Sequence, residues 1–178
     1  MNSIKIHDLT FEIKITSTEI QQAVSEVATK INTDLKGKKP LFLAVLNGSF
    51  MFASDLLKKV TIDCEISFVK VASYEGTSST GEIKGLIGMN EDIKGRTVVI
   101  VEDIVDTGNT VENVWNELKT KGAADVKIAT LLFKPLAYTK TLPIDYIAIK
   151  VPNDFLVGYG LDYNGLGRNL ADIYVKSN

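Results

Sequence analysis

The densest chemistry in the chain lies between Val98 and Thr110, VVIVEDIVDTGNT, where Glu102, Asp103 and Asp106 fall within five positions at the end of a β-branched run. Like charges this close repel by about 1 kcal/mol per pair in water and by more where water is scarce. A cation, or a ligand rich in hydroxyls, is therefore expected to meet them. Thr107, Gly108, Asn109 and Thr110 follow at once and run into a helical pattern. Small residues there let backbone N–H groups approach an anion, and a helix N-terminus adds unpaired donors and partial positive charge. Carboxylates suited to sugar hydroxyls or Mg²⁺, set beside a phosphate cradle, imply a phosphorylated sugar as ligand. An Asp-Thr-Gly turn alone is ordinary turn chemistry; three acids beside it are not. No G-x-G-x-x-G follows a strand and no G-x-x-x-x-G-K-[ST] is present, so neither of the common nucleotide loops competes.

Such a turn has to be held by a scaffold, and the flanking sequence supplies one. Thr16-Ser17-Thr18-Glu19 has capping-box spacing, and Ile20, Val24, Val27, Ala28, Ile31 and Leu35 recur at helical intervals before Gly37. LFLAVL, residues 41 to 46, is an unbroken apolar run of strand length that needs cover on both faces. Asn47-Gly48-Ser49 breaks it, and FMFASDLLKK reads as the next helix. Further strands are expected within 62–72, at 98–101, at 126–133 up to Lys134-Pro135, at 146–151 and at 155–159. Val111, Val114, Trp115 and Leu118 mark a helix closed by Gly122. Alternating strands and helices with doubly buried strands predict an α/β fold, a mainly parallel twisted sheet flanked by helices. Ligands bind such sheets at the carboxyl ends of strands, where this sequence places its polar clusters.

Composition agrees with one globular domain over residues 1–178: 45% of residues are hydrophobic and 24% charged. The formal net charge of −2 argues against a chain built to hold nucleic acid. No apolar stretch approaches the roughly 20 residues of a membrane span, and the N-terminus lacks the apolar block of a signal peptide. Cys64 has no cysteine to pair with and reads as a buried small hydrophobe, which fits a cytoplasmic setting. His7, the one histidine, is expected in a solvated leader.

The thirteen-residue stretch resembles the phosphoribosyl pyrophosphate (PRPP) signature of type I phosphoribosyltransferases. LNGSFMF (46–52), SYEGTSSTGEIK (73–84), LLFKP (131–135) and VPNDFLVGYGLDYNGLGRNL (151–170) narrow the resemblance to the hypoxanthine-guanine phosphoribosyltransferases. Five motifs in the expected order cover most of the chain. The resemblance implies the type I fold with a small hood formed by N- and C-terminal segments. It implies attack of a 6-oxopurine on the anomeric carbon of PRPP with loss of pyrophosphate, dependence on Mg²⁺, and a homodimer or homotetramer.

The resemblance also implies roles. Glu102 and Asp103 would meet the ribose hydroxyls directly or through a metal, and Thr107 to Thr110 would hold the 5′-phosphate. Asp106 would stand near purine N7 as the catalytic acid-base group, and a carboxylate between a phosphate and two acids should have raised proton affinity. Lys134, in isolation a solvated strand-end charge, would contact the 6-oxo group and disfavour adenine. Phe155, in isolation a core aromatic, would stack on the purine, with backbone groups of Leu156 at the base edge. Asp162 would bind a second Mg²⁺ and frame the base. Arg168 would contact pyrophosphate, for which a planar guanidinium is well shaped. Asn47 and Gly48 belong to the other phosphate loop, where the family often has a cis peptide. Many members carry lysine where Asn47 stands, so a positive charge near the pyrophosphate is missing here.

Because the breaking bond leaves oxocarbenium character at carbon, water must be kept out. SYEGTSSTGE has the composition of a lid, and Ser73-Tyr74 matches the start of the family's closing loop. Two other readings share these motifs: a PRPP-sensing regulator on the same fold, which would be expected to carry a basic surface, and a xanthine-preferring transferase.

Overall fold

The structure is a computed structural model and describes residues 3–71 and 86–177. In chain order its elements are β1 (Ser3–Ile6), β2 (Leu9–Ile15), α1 (Ser17–Asp34), β3 (Leu41–Leu46), α2 (Phe50–Leu57), β4 (Glu65–Val71), β5 (Leu86–Ile87), β6 (Thr97–Val105), α3 (Asn109–Thr120), β7 (Asp125–Phe133), β8 (Tyr146–Lys150), β9 (Leu156–Val157) and β10 (Ile173–Lys176). The larger sheet runs β5-β4-β3-β6-β7-β8. Its β4, β3, β6, β7 and β8 are parallel, and only β5 is antiparallel to its neighbour.

The continuous apolar strands are explained by cover on both faces. Phe42, Ala44, Val99 and Val101 pack with Ile20, Val24, Ile31, Phe52 and Leu56 of α1 and α2. Their alternates Leu41, Leu43, Val98 and Ile100 pack with Val111, Val114 and Leu118 of α3. Each of these valines, leucines, isoleucines and phenylalanines contributes about 1.5–3 kcal/mol on full burial, so a charge placed at Ile100 would remove that gain and bury an unpaired ion. The capping box at α1 forms as expected: Thr16 Oγ1 accepts from the Glu19 N–H and the Glu19 carboxylate accepts from the Thr16 N–H.

Strand order reverses between β3 and β6. From β3 the chain moves outward to β4, whereas from β6 it moves the other way to β7. The two strands pair only from Leu41↔Val98 to Ala44↔Val101, and beyond this β6 continues along β7 alone, to Val105↔Phe133. The divergence opens a crevice at the carboxyl ends of the sheet, the position where ligands enter doubly wound folds.

The smaller sheet, in order β1-β2-β10-β9, is the expected hood, assembled from the two ends of the chain. Phe11, Val157 and Tyr174 form its core. Two local expectations need correction. Glu102 and Asp103 do not follow β6 but lie within it, since pairing with β7 carries the strand through Glu102 to Val105, and of the three acids Asp106 alone follows it. Cys64 is half-buried against the α1/α2 cluster, not enclosed. The polar leader forms the β1–β2 hairpin, and His7 at its turn is exposed as expected, 3.3 Å from the Asn164 carbonyl and edge-on to Tyr163. Ser73 and Tyr74 of the expected lid lie outside the described residues.

Candidate active site

Residues from two strand ends face the crevice. After β6, Asp106, Thr107 and Gly108 turn the chain into α3, with Gly108 as the N-cap at φ 89°, a left-handed conformation that favours glycine. A Cβ there would also collide with the Tyr138 ring, and Lys140 Cγ stands behind it. No side chain caps α3, so the first amides of the helix keep their donors for an anion. They line a cavity of about 260 Å³ formed by Glu102 and residues 104–111. The turn is braced from outside by residues that the sequence motifs did not single out. Thr139 donates through its hydroxyl (3.2 Å) and its N–H (3.3 Å) to the Thr107 carbonyl, and Lys140 is paired with Glu112 at 2.7 Å.

Glu102 and Asp103 are adjacent on a strand and so point to opposite faces. They are not one cluster. Glu102 is buried at 8% exposure beside this cavity, and its Oε2 has no hydrogen-bond partner among the described residues. Burial, with a smaller contribution from the Asp103 charge, pushes its carboxyl well above the usual range. Asp103 faces the other loop, close enough to Gly48 that a Cβ on that glycine would overlap its carboxylate. Burial raises the Asp103 carboxyl to about 6, opposed by the Ile104 N–H at 2.8 Å and by the Arg168 charge. Glu102 and Asp103 thus both carry raised proton affinity. Asp106 itself is half-exposed and ion-paired: its Oδ2 accepts from Lys134 Nζ at 3.0 Å.

The second loop begins with a cis peptide between Leu46 and Asn47. Ser49 is fully buried and donates to the Val45 carbonyl at 2.6 Å, which folds the loop back over its own strand. Gly160 lies directly over it, so close that a Cβ would strike the Gly48 carbonyl. Arg168 donates to the Gly160 carbonyl at 2.7 Å and pairs with Asp162 Oδ1 at 2.6 Å. The other oxygen of Asp162 accepts from the Gly165 N–H at 2.7 Å, so both oxygens of the residue expected at a second Mg²⁺ have partners within the protein. Asn47, Gly48, Asp103, Asp162 and Arg168 are thereby brought together.

Phe155 sits in the hood, 47% exposed, with Tyr163 edge-on at 5.7 Å and Phe11 tilted at 6.1 Å. It is supported from one side and open on another, as a stacking platform requires. The Leu156 side chain is buried, and its backbone belongs to the β9–β10 ladder. Tyr163 lies within the 151–170 motif, but its contact with Phe155 depends on both residues folding against the hood core.

Residues 15–164 match the family model described as phosphoribosyl transferase domain. The chain belongs to this family. It is 41% identical to the hypoxanthine-guanine phosphoribosyltransferase of Streptococcus pneumoniae over 165 residues, 92% of each chain. It is 39% identical to the bifunctional protein TilS/HprT of Listeria monocytogenes over 94% of its own length, but spans only about a quarter of that protein, 26%. Among solved structures, a hypoxanthine phosphoribosyltransferase from Staphylococcus aureus superposes with a TM-score of 0.86 at 36% identity, covering 93% of this chain and 91% of that one. The family fold accounts for both the parallel sheet and the two-ended hood.

Proposed function

We propose that the chain transfers the 5-phosphoribosyl group of PRPP to hypoxanthine, and to guanine alongside it, as a purine salvage enzyme of the cytoplasm. The observation that carries this reading is the Lys134–Asp106 pair, 3.0 Å apart at the edge of a helix-capped phosphate cradle. On a 6-oxopurine the O6 and N7 atoms are neighbours on one edge. An ammonium and a carboxylate side by side match that edge. Lys134 donates to O6, and a 6-amino group would meet it donor to donor. Asp106 accepts the N7 proton as the bond from purine nitrogen to the anomeric carbon forms and the bond from that carbon to pyrophosphate breaks. Thr107 to Thr110 and the α3 amides hold the 5′-phosphate, fixing the anomeric carbon relative to Asp106. Phe155 stacks on the base. Asn47, Gly48 and Arg168 receive the pyrophosphate, and Ser73 and Tyr74 begin the segment assigned to exclude water.

The donor set suits Mg²⁺. Glu102 offers a buried oxygen with no partner and Asp103 a second carboxylate, while the described residues contain no group of three ligands that could hold a metal alone. This is the pattern for a cation that takes one or two carboxylates and completes its shell with substrate oxygens and water. When bound, it neutralises charge on the departing pyrophosphate. Asp162 would join only by releasing Arg168 or Gly165. A homodimer is part of this reading: Ile66 and Phe68 are 41% and 43% exposed on one face of β4, and Phe50 is 41% exposed at the start of α2 over the same side of the sheet.

Incubation with PRPP, Mg²⁺ and each of hypoxanthine, guanine, xanthine and adenine tests the proposal. Nucleotide is expected with the first two and not with adenine. Absence of product with every base overturns the enzyme reading, and product mainly with xanthine reassigns the substrate.

A further inference from the structure

The strongest unassigned feature is a half-buried polar network between α1, α2 and the segment after β9. Tyr159 is 2% exposed and holds φ 47°, a conformation that side chains other than glycine seldom adopt, between Gly158 and Gly160. Its hydroxyl donates to Asp55 Oδ2 at 2.7 Å. The same oxygen accepts from Gln21 of α1 at 2.5 Å, and Asp55 Oδ1 from Lys58 at 2.6 Å. Burial disfavours ionisation of Asp55, yet the hydrogen bonds from Lys58, Tyr159 and Gln21 outweigh it and leave its carboxyl below the usual range. Burial, then the hydrogen bond to Asp55, pushes the Tyr159 phenol up. The bond is therefore a charge-assisted one, phenol to carboxylate, in a sheltered site.

The next residue, Gly160, presses on the Gly48 carbonyl and accepts from Arg168. Gly48 in turn abuts Asp103. We infer that Tyr159 and Asp55 are a positioning pair: their hydrogen bond ties Gly160 to the helical layer and so sets how Gly48, Asp103 and Arg168 present themselves to pyrophosphate. The inference rests on the proposed function and names a group outside its binding residues. With asparagine at position 47 instead of a lysine, this subsite depends on backbone donors and Arg168, whose placement then matters more.

The test compares Tyr159→Phe, Asp55→Ala and Asp55→Asn with the unaltered chain, measuring kcat, KM for PRPP and for hypoxanthine, and calorimetric binding of PRPP with Mg²⁺. Tyr159→Phe keeps the ring and its packing. It and Asp55→Ala are expected to raise the PRPP KM about threefold to tenfold, the size of one lost hydrogen bond, with the hypoxanthine KM within about twofold. Asp55→Asn still accepts from the phenol and should stay close to the unaltered chain. If Asp55→Ala does not accumulate, the contrast between Tyr159→Phe and Asp55→Asn is sufficient. Both KM values rising together, melting temperature falling with kinetics intact, or Asp55→Asn behaving like Tyr159→Phe would each overturn the positioning role. An unaltered chain that neither binds PRPP nor forms nucleotide would instead overturn the reading of the site.

Discussion

Lys134 Nζ stands 3.0 Å from Asp106 Oδ2, with the lysine side chain 11% exposed and the aspartate 48% exposed. The more buried partner is the cation, held by a strand end, and the accessible partner is the carboxylate. The Lys134 N–H donates to the Val105 carbonyl at 3.0 Å, so the two residues are also joined through the backbone just before Asp106. Asp106→Asn keeps this geometry but cannot take a proton. It is expected to lower kcat by about 100- to 1,000-fold with PRPP affinity within about threefold. Stopped-flow chemistry and calorimetric binding separate the two; equal losses in both would mean that Asp106 only shapes the phosphate turn.

Lys134→Met removes the charge while keeping the buried stem. A hydrogen bond to a charged donor contributes about 1.5–3 kcal/mol, so the hypoxanthine KM should rise by more than about tenfold and discrimination against adenine should narrow. Competition between the two bases at fixed PRPP reads both effects, and unchanged discrimination would remove Lys134 from the base edge.

Gly48→Ala places a methyl where the Asp103 carboxylate lies. Because β6 is paired with β7 at this point, the loop has to give way first. PRPP and pyrophosphate affinities should fall by about tenfold or more, with hypoxanthine stacking on Phe155 and far-ultraviolet circular dichroism retained. A variant with normal PRPP affinity would show that this close approach is incidental.

The raised Asp103 carboxyl predicts a pH-dependent stability difference. Its folded value is about 6 against an ordinary 3.8, so between those pH values the folded state binds more protons than the unfolded one, and this group weakens the fold as pH rises. Asp103→Asn should therefore stabilise the ligand-free protein above pH 6, by on the order of 1–2 kcal/mol, and the gain should vanish below about pH 4. Urea unfolding across that range, without Mg²⁺, measures it. A gain that grows toward acid would contradict the assignment.

Phe68→Lys puts a charge on the apolar face shared with Ile66. If that face joins two copies, sedimentation should show a monomer where the parent sediments as a dimer, with each monomer still folded. An unchanged sedimentation coefficient would place the assembly surface elsewhere.

Much of the fold is legible in the sequence alone. The parallel sheet followed from LFLAVL and its neighbours, because strands apolar at every position need cover on both sides. The turn into α3 followed from small residues at a strand-to-helix junction. Less legible was anything set by contacts distant in sequence. Glu102 and Asp103 look like a pair in the sequence, and only the continuation of β6 along β7 sends them to opposite faces. The hairpin at the N-terminus was hidden because its polar alternates face water and its apolar partners, Val157 and Tyr174, lie at the other end of the chain. Nothing in the sequence marks Tyr159, whose hydroxyl meets Asp55 across 104 positions of the chain.

The hood interleaves the two ends of the chain, with β10 inserted between β2 and β9. β2 and β10 are separated by nearly the whole described chain, whereas β6, β7 and β8 pair with strands that neighbour them in sequence. Closing the hood therefore carries a larger loop-closure cost than forming that part of the larger sheet, and in refolding the hood is expected to be the later of the two to acquire protected amides.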